Sequence, residues 1–466
     1  MSLPTKYPAR SHAQRVAEQL GAEFSDAVYL LTSPTLELYP YCDQTQPFRQ
    51  DRYFNYLTGA HDLSGAAVTY DVKNDKLALW LPELDEEDVM WSGLPLSLEQ
   101  AKHKYDVDDV KYINEKDAKV DFAGRRLIGI EEIKHSSKYF TALGSGYTVE
   151  KKLQDALDLA RSVKDEYEIA LMRRAAEITD NSHLAVMSAL PIEQNEGHIH
   201  AEFVYHAMRQ GSKFQAYDPI CCSGTDCGTL HYVKNDQELG NEKQLVLIDA
   251  GAEWQCYAAD VTRVFPINGE WTAEARNIYT AVLDMQTQTM NKIKPGQSWD
   301  ELHLLSHRIL VEKFLEFGIF QNGTVDEILA ARTSVAFLPH GLGHMLGMDT
   351  HDVAGFPNYD DSDPMFRYLR LRRDLKAGNV VTVEPGIYFN NFLLEPYLKD
   401  EKHLKFINKE VLDKYMPVGG VRIEDDVLVT KDGFENLTKI TSDPDEVASI
   451  VKKGIEKGRS HFHVVV

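Results

Sequence analysis

The chain has 466 residues, 43% hydrophobic and 26% charged, which is too long for one ordinary core and comfortable as two domains that each bury an interior. Seventy-two acidic against fifty basic residues leave a net charge of −22 at pH 7, which speaks against nucleic acid and anionic membrane surfaces as partners. Cys42, Cys221, Cys222, Cys227 and Cys256 are an odd set without zinc-ribbon spacing; they suit a reducing compartment and no metal is assigned to them.

The amino terminus, "MSLPTKYPARSHAQRVAEQLG", lacks the apolar core of a signal peptide, and no apolar run reaches the roughly 20 residues of a membrane helix. Its first seventeen residues contain Lys6, Arg10 and Arg15 and no acid, a presequence-like composition, but a helix ending at Gly21 is the reading adopted. "HVVV" at the carboxyl terminus matches no retention or peroxisomal address, so the cytoplasm is the expected location. From residue 28 onward "AVYLLTS", "AAVTYDV", "KLALWLPE" and "RRLIGIEE" predict strands that alternate with helical stretches such as "SLEQAKHKYD", with a hairpin turn at "KNDK". That is an α/β pattern without an obvious catalytic motif.

Between about 150 and 190 the chain becomes long, charged and apolar at three- and four-residue spacing, which predicts one or two long helices and a domain boundary after residue 155. The domains are thus 1–155 and 156–466. In the second, "LVLIDAG", "AADVTRVFPI", "VVTVEPGIYF" and "GGVRIEDDVLVT" read as strands, with helices over 272–293 and 298–317. "LIDAG" and "TVEPG" echo one another, and each is followed by a second strand with another acid. Two halves built on one plan would bring two acids each to a common axis.

Asp249 ends one strand and Asp260 lies in the next, eleven residues on; Glu384 ends "VVTVE", and Arg422 and Glu424 share a strand face by period two. Any one of these acids could be a solvated strand end. Four on apolar strands repel one another unless cations neutralise them. In "FLPHGLGHMLGMDTHDV" the pair His340 and His344 has the spacing of a zinc helix, but Gly341 and Gly343 each cost about 1 kcal/mol in a helix and no Glu follows the first His. An extended glycine-rich segment that passes close to the centre and adds one imidazole is the expectation instead.

Asp249, Asp260, His344, Glu384 and Glu424, in "DAGAEWQCYAADVTR", "HGLGHMLGMDTHDV", "VEPGIYF" and "VRIEDD", resemble the five-ligand signature of the pita-bread metallopeptidases, with prolidases (Xaa-Pro dipeptidases) and aminopeptidase P nearest. The resemblance is strongest over 165–445. It implies an α+β fold: a pita-bread catalytic domain, a pseudo-symmetric sheet backed by helices, behind a creatinase-type α/β domain. It implies two divalent ions bridged by Asp260 and Glu424, and His344 as the imidazole ligand. Mn²⁺ suits such an oxygen-rich set, with Co²⁺, Fe²⁺ or Zn²⁺ possible. By the same resemblance His231 and His351 contact the substrate and His340 orients its neighbours; a satisfied structural imidazole is the competing reading of each.

Glu384, a ligand with a spare oxygen, is expected to move protons, and Arg422 to hold carboxylates in place. Arg370 falls where prolidases have an arginine for the free carboxylate of a dipeptide, its competing reading being a basic helix end or loop. Tyr217 and Ile220 match prolidase pocket positions, and Trp91 matches a tryptophan that reaches the partner subunit's active site, which implies a homodimer. Core packing is the plainer job for each. The expected activity is hydrolysis of Xaa-Pro dipeptides. The alternative is aminopeptidase P, acting on longer Xaa-Pro peptides, and a reading of another class is a metal-free pita-bread binding protein.

Overall fold

A computed structural model describes residues 6–114, 122, 124–130, 147–240 and 242–457, and the chain divides into two units, Met1–Tyr167 and Glu168–Val466. In the first, β1 (Ala27–Thr32), β2 (Ala67–Asp71), β3 (Lys76–Leu81), β4 (Asp109–Tyr112), β5 (Arg126–Gly129) and β6 (Tyr147–Val149) form one mixed sheet in the order β4-β3-β2-β1-β5-β6. Asp71 pairs with Lys76 across the expected "KNDK" turn. Alternation along the strands sends Val28, Leu30, Ala67, Ala78, Trp80 and Leu127 into one apolar cluster. The helix Ala9–Leu20 buries Ala9, His12, Ala13, Val16 and Leu20 at helical spacing and ends at Gly21, whose φ of 95° favours glycine. It packs on the helix Lys151–Ser162, so the boundary expected after 155 falls inside an element of the first unit.

The second unit has β7 (Ile220–Ser223), β8 (Leu245–Asp249), β9 (Glu253–Trp254), β10 (Tyr257–Ala258), β11 (Thr262–Pro266), β12 (Val380–Val383), β13 (Gly386–Tyr388), β14 (Gly420–Arg422), β15 (Asp425–Val429) and β16 (Phe434–Asn436). They form two three-stranded antiparallel sheets, β11-β8-β7 and β12-β15-β16, and the pairs β9-β10 and β13-β14. A bridge between Thr262 and Glu424 joins the two halves. The helices Ala273–Met290 and Trp299–Glu316 pack on each other, and the first of them backs β12, β13 and β14. Their core holds Phe314, Phe320, Phe337 and Phe389, each at most 3% exposed; burying each phenyl contributes about 1.5–3 kcal/mol. No helix among the described residues is long and apolar enough to cross a membrane.

Asp260 was expected within a strand and instead precedes β11. The β9-β10 hairpin, turning through Gln255 and Cys256 at positive φ, uses up the intervening chain. The Asp260 N–H donates to the Asp426 carboxylate (3.1 Å) in place of a ladder partner.

Candidate metal centre

The five residues singled out in the sequence converge at the ends of β8, β12 and β14 and the entry to β11. His344 Nε2 lies 3.3 Å from Asp260 Oδ2 and 3.5 Å from Glu384 Oε1. Ligand atoms of Asp260, His344 and Glu424 all fall within 4.8 Å of one another. Asp249 joins them through Tyr217, whose hydroxyl is 2.5 Å from both Asp249 Oδ1 and Asp260 Oδ1. The 337–353 segment contains no helix, and its middle lies along β12: Leu346 N–H donates to Val380 O, Thr382 N–H to His344 O, and Glu384 N–H to Leu342 O, at 2.8–2.9 Å. Gly343 makes this possible, since a Cβ there would stand 2.0 Å from Thr382 O. His344 Nδ1 faces Met345 O at 2.9 Å, which aims Nε2 at the acids; burial pulls the imidazole down, but Asp260 and Glu384 outweigh it and hold the ring above its ordinary value.

Asp249, Asp260 and Glu424 are buried, and Glu384 is half-buried at a cavity wall. Burial pushes Glu384 up to about 7; His344 and Arg422 oppose the shift, and Asp260 and Asp249 add to it by repulsion. Glu424 is driven well above the carboxylate range by burial and by Asp260 and Glu384, and burial also raises Asp260. Among the described residues Arg422 is the one lysine or arginine in an ion pair with any of the four. Concentrated negative charge, mostly oxygen donors and one imidazole form a set that fits hard or borderline divalent cations.

Arg422 was expected to hold carboxylates in place, and it makes its ion pair across the site rather than with its neighbour Glu424. It reaches Asp249 Oδ2 (2.6 Å), while Nε donates to Thr262 Oγ1 (3.0 Å) and Nη1 to Tyr388 OH (2.9 Å). The Thr262 hydroxyl donates to Glu424 Oε2 (2.6 Å). Tyr388 in turn donates to His340 Nε2 (2.8 Å), whose Nδ1–H is spent on Gly341 O (2.7 Å). Tyr388 and Thr262 were not picked out in the sequence. The available signal was period two: Tyr388 stands two residues beyond Gly386 on β13, and Thr262 two beyond Asp260.

The cluster opens into a cavity of about 820 Å³, a size usual for ligand sites, lined in part by His231, His340, His351, Arg370, Tyr217 and Ile220. The His351 ring stands edge-on to His344, centroids 4.4 Å apart. Burial, with His344 and Arg370 assisting, pulls His351 down to about 3; burial and Arg422 do the same to His340, also to about 3. Both rings are therefore neutral near pH 7. Arg370 is half-buried and has no ion pair or hydrogen bond among the described residues. Trp91 belongs to the first unit, on the helix Glu86–Ser92, 72% exposed.

The family model "Metallopeptidase family M24" matches residues 170–431, and "Aminopeptidase P, N-terminal domain" matches 11–126. The chain belongs to metallopeptidase family M24. An uncharacterized peptidase of Saccharomyces cerevisiae is 50% identical over 477 residues, covering 99% of this chain and 87% of the relative. A probable Xaa-Pro aminopeptidase of Sordaria macrospora is 47% identical over 463 residues, covering 97% of each. Aminopeptidase P from E. coli, solved with the inhibitor Pro-Leu, has a TM-score of 0.80 at 27% identity, covering 97% of this chain and all of the other. As an M24 metallopeptidase the chain has the α+β fold expected of it, a pita-bread catalytic domain behind an aminopeptidase P type amino-terminal domain. The relatives' names favour the aminopeptidase alternative over the dipeptidase expectation.

Proposed function

We propose that this metallopeptidase is a Xaa-Pro aminopeptidase that uses two divalent cations to hydrolyse the bond between an amino-terminal residue and a following proline. The observation that carries the reading is the five-residue donor cluster opening on a cavity of about 820 Å³. The name of full-length relatives supports the choice of substrate class. Asp249, Asp260, His344, Glu384 and Glu424 would hold the ions, with Mn²⁺ as the cation this donor set suits. When bound, the ions supply Lewis acidity at the scissile carbonyl and make a water nucleophilic near neutral pH.

The chain's own residues do the rest. Glu384, at the cavity wall, accepts the proton of the attacking water and hands it to the departing proline nitrogen, which has no N–H of its own. His351 and His231 donate N–H groups to the carbonyl oxygen as it gains charge. Arg422, with Thr262 and Tyr388, holds Asp249 and Glu424 in place without touching substrate. His340 orients Tyr388, and Tyr217 and Ile220 shape the wall that receives the proline. A cytoplasmic homodimer, with Trp91 of one copy facing the other, completes the reading.

Hydrolysis of Gly-Pro against Gly-Pro-Gly-Gly by metal-stripped protein, with and without Mn²⁺, tests it. Metal-dependent cleavage of the tetrapeptide is expected. Arg370 favours a second reading, a Xaa-Pro dipeptidase, because a partnerless cation in the cavity is suited to a free carboxylate. Cleavage of Gly-Pro alone selects that reading, and cleavage of neither with any divalent ion removes both.

A further inference from the structure

His231 stands exposed at the cavity rim, and its imidazole makes no hydrogen bond, ion pair or ring contact among the described residues. Nothing at the ring itself sets its direction, so the backbone beneath it must. The chain there is a loop with two sides. Leu230, His231 and Val233 line the cavity, while Tyr232 and Asn235, each 8% exposed, turn inward.

Both of these are tied down. The Tyr232 ring packs among Ile220 and Cys222, and its hydroxyl donates to Glu196 Oε2 at 2.8 Å. Asn235, at φ 50°, accepts from the Cys221 N–H (2.8 Å) and donates to Pro219 O (2.8 Å), which fastens the loop to β7. Glu196 is the hub. Fully buried in the first turn of the helix Glu196–Arg209, it also accepts from Ser223 Oγ (2.6 Å) and from the Gln237 N–H (3.1 Å). Its own N–H donates to Gln237 O (2.9 Å). One carboxylate thus pins the end of β7 and both flanks of the His231 loop, and no lysine or arginine among the described residues pairs with it. A buried carboxylate is costly unless hydrogen-bonded, and this one spends its acceptors on holding a loop.

We propose that Glu196 is a positioning residue for His231, acting through Tyr232, so that the imidazole meets the scissile carbonyl without searching for its orientation. The inference rests on the reading of His231 as a substrate contact. Its test is a cycle of Tyr232→Phe, His231→Ala and the double variant, with kcat and KM for Gly-Pro-Gly-Gly measured on the Mn²⁺-loaded full chain and Tm on each protein. Tyr232→Phe is expected to lower kcat about tenfold with KM near the starting value, and to cause no further loss once His231 is alanine. Glu196→Gln, which keeps one acceptor oxygen and the volume, is expected to fall between. Losses that multiply in the double variant, a starting kcat in Tyr232→Phe, or an effect seen only in Tm would overturn the positioning role while leaving the peptidase reading intact. A starting kcat in His231→Ala would remove the substrate role of His231 and the positioning role with it.

Discussion

Glu424 and Asp425 are neighbours at the start of β15, and they face two different regions of the same sheet. Asp425 points away from the cavity to Arg263, at 2.7 Å, and takes a second hydrogen bond from Asn436 (2.7 Å). Arg263 spends its other donors on the carbonyls of Thr262, Glu424, Ile440 and Thr441, so the pair is closed within the chain. Glu424 points toward the cavity, where Thr262 satisfies one oxygen and Asp260 and Glu384 repel it. A buried acid closed off by its own cation is architecture, whereas a group of buried acids that shares a single arginine, at Asp249, keeps uncompensated charge and is a receptor for cations. Arg370 is the inverse case, a cation in the same cavity without an acid.

The comparison breaks first at Glu384. Glu384→Gln is expected to lower kcat by about 10²–10⁴-fold while Tm holds or rises, because a carboxyl already pushed up to about 7 loses an unfavourable charge. A kcat within tenfold of the starting value would return Glu384 to the architectural class. Arg263→Met should do the opposite, costing about 3–5 kcal/mol in denaturant unfolding by stranding Asp425, with Mn²⁺ affinity by calorimetry unchanged.

Removal of cations should expose the difference as a pH effect. Glu384 has an ordinary value of 4.5 and about 7 in the fold. The folded, cation-free chain therefore binds a proton more tightly than the unfolded one, and the penalty grows as pH rises from 4.5 and is complete above 7. Chelation is expected to lower Tm more at pH 8 than at pH 5; an equal drop at both would show that the acids are not what the cations relieve. The smallest effect is at Arg370. Arg370→Ala should raise KM for Gly-Pro-Gly-Gly about 2–10-fold, the loss of a hydrogen bond to a neutral carbonyl, and a rise of about 10–100-fold for Gly-Pro would mark a lost carboxylate contact.

Local patterns made much of this legible. Strands β1 to β3, the turn at 73–76 and the helices Ala273–Met290 and Trp299–Glu316 stand where spacing put them, since period and turn chemistry are properties of short segments, and the five donor candidates line one cavity even though Asp260 precedes its strand. The partners of those donors were not legible in the same way. Arg422 and Asp249 are 173 residues apart, and Arg263 and Asp425 162 apart, so no window of sequence contains both members of either pair.

What the sequence determined by itself is the inventory: four acids at apolar strands, an imidazole in a glycine-rich segment, and a family signature. Which acid is closed off by a cation of its own and which acids crowd together around a single shared arginine was decided by the tertiary structure alone. Alternation along β15 offers two faces, and only the pairing of β11 against β8 and the Thr262 to Glu424 bridge determine that Arg263 lies behind one face while the carboxylates crowd the other.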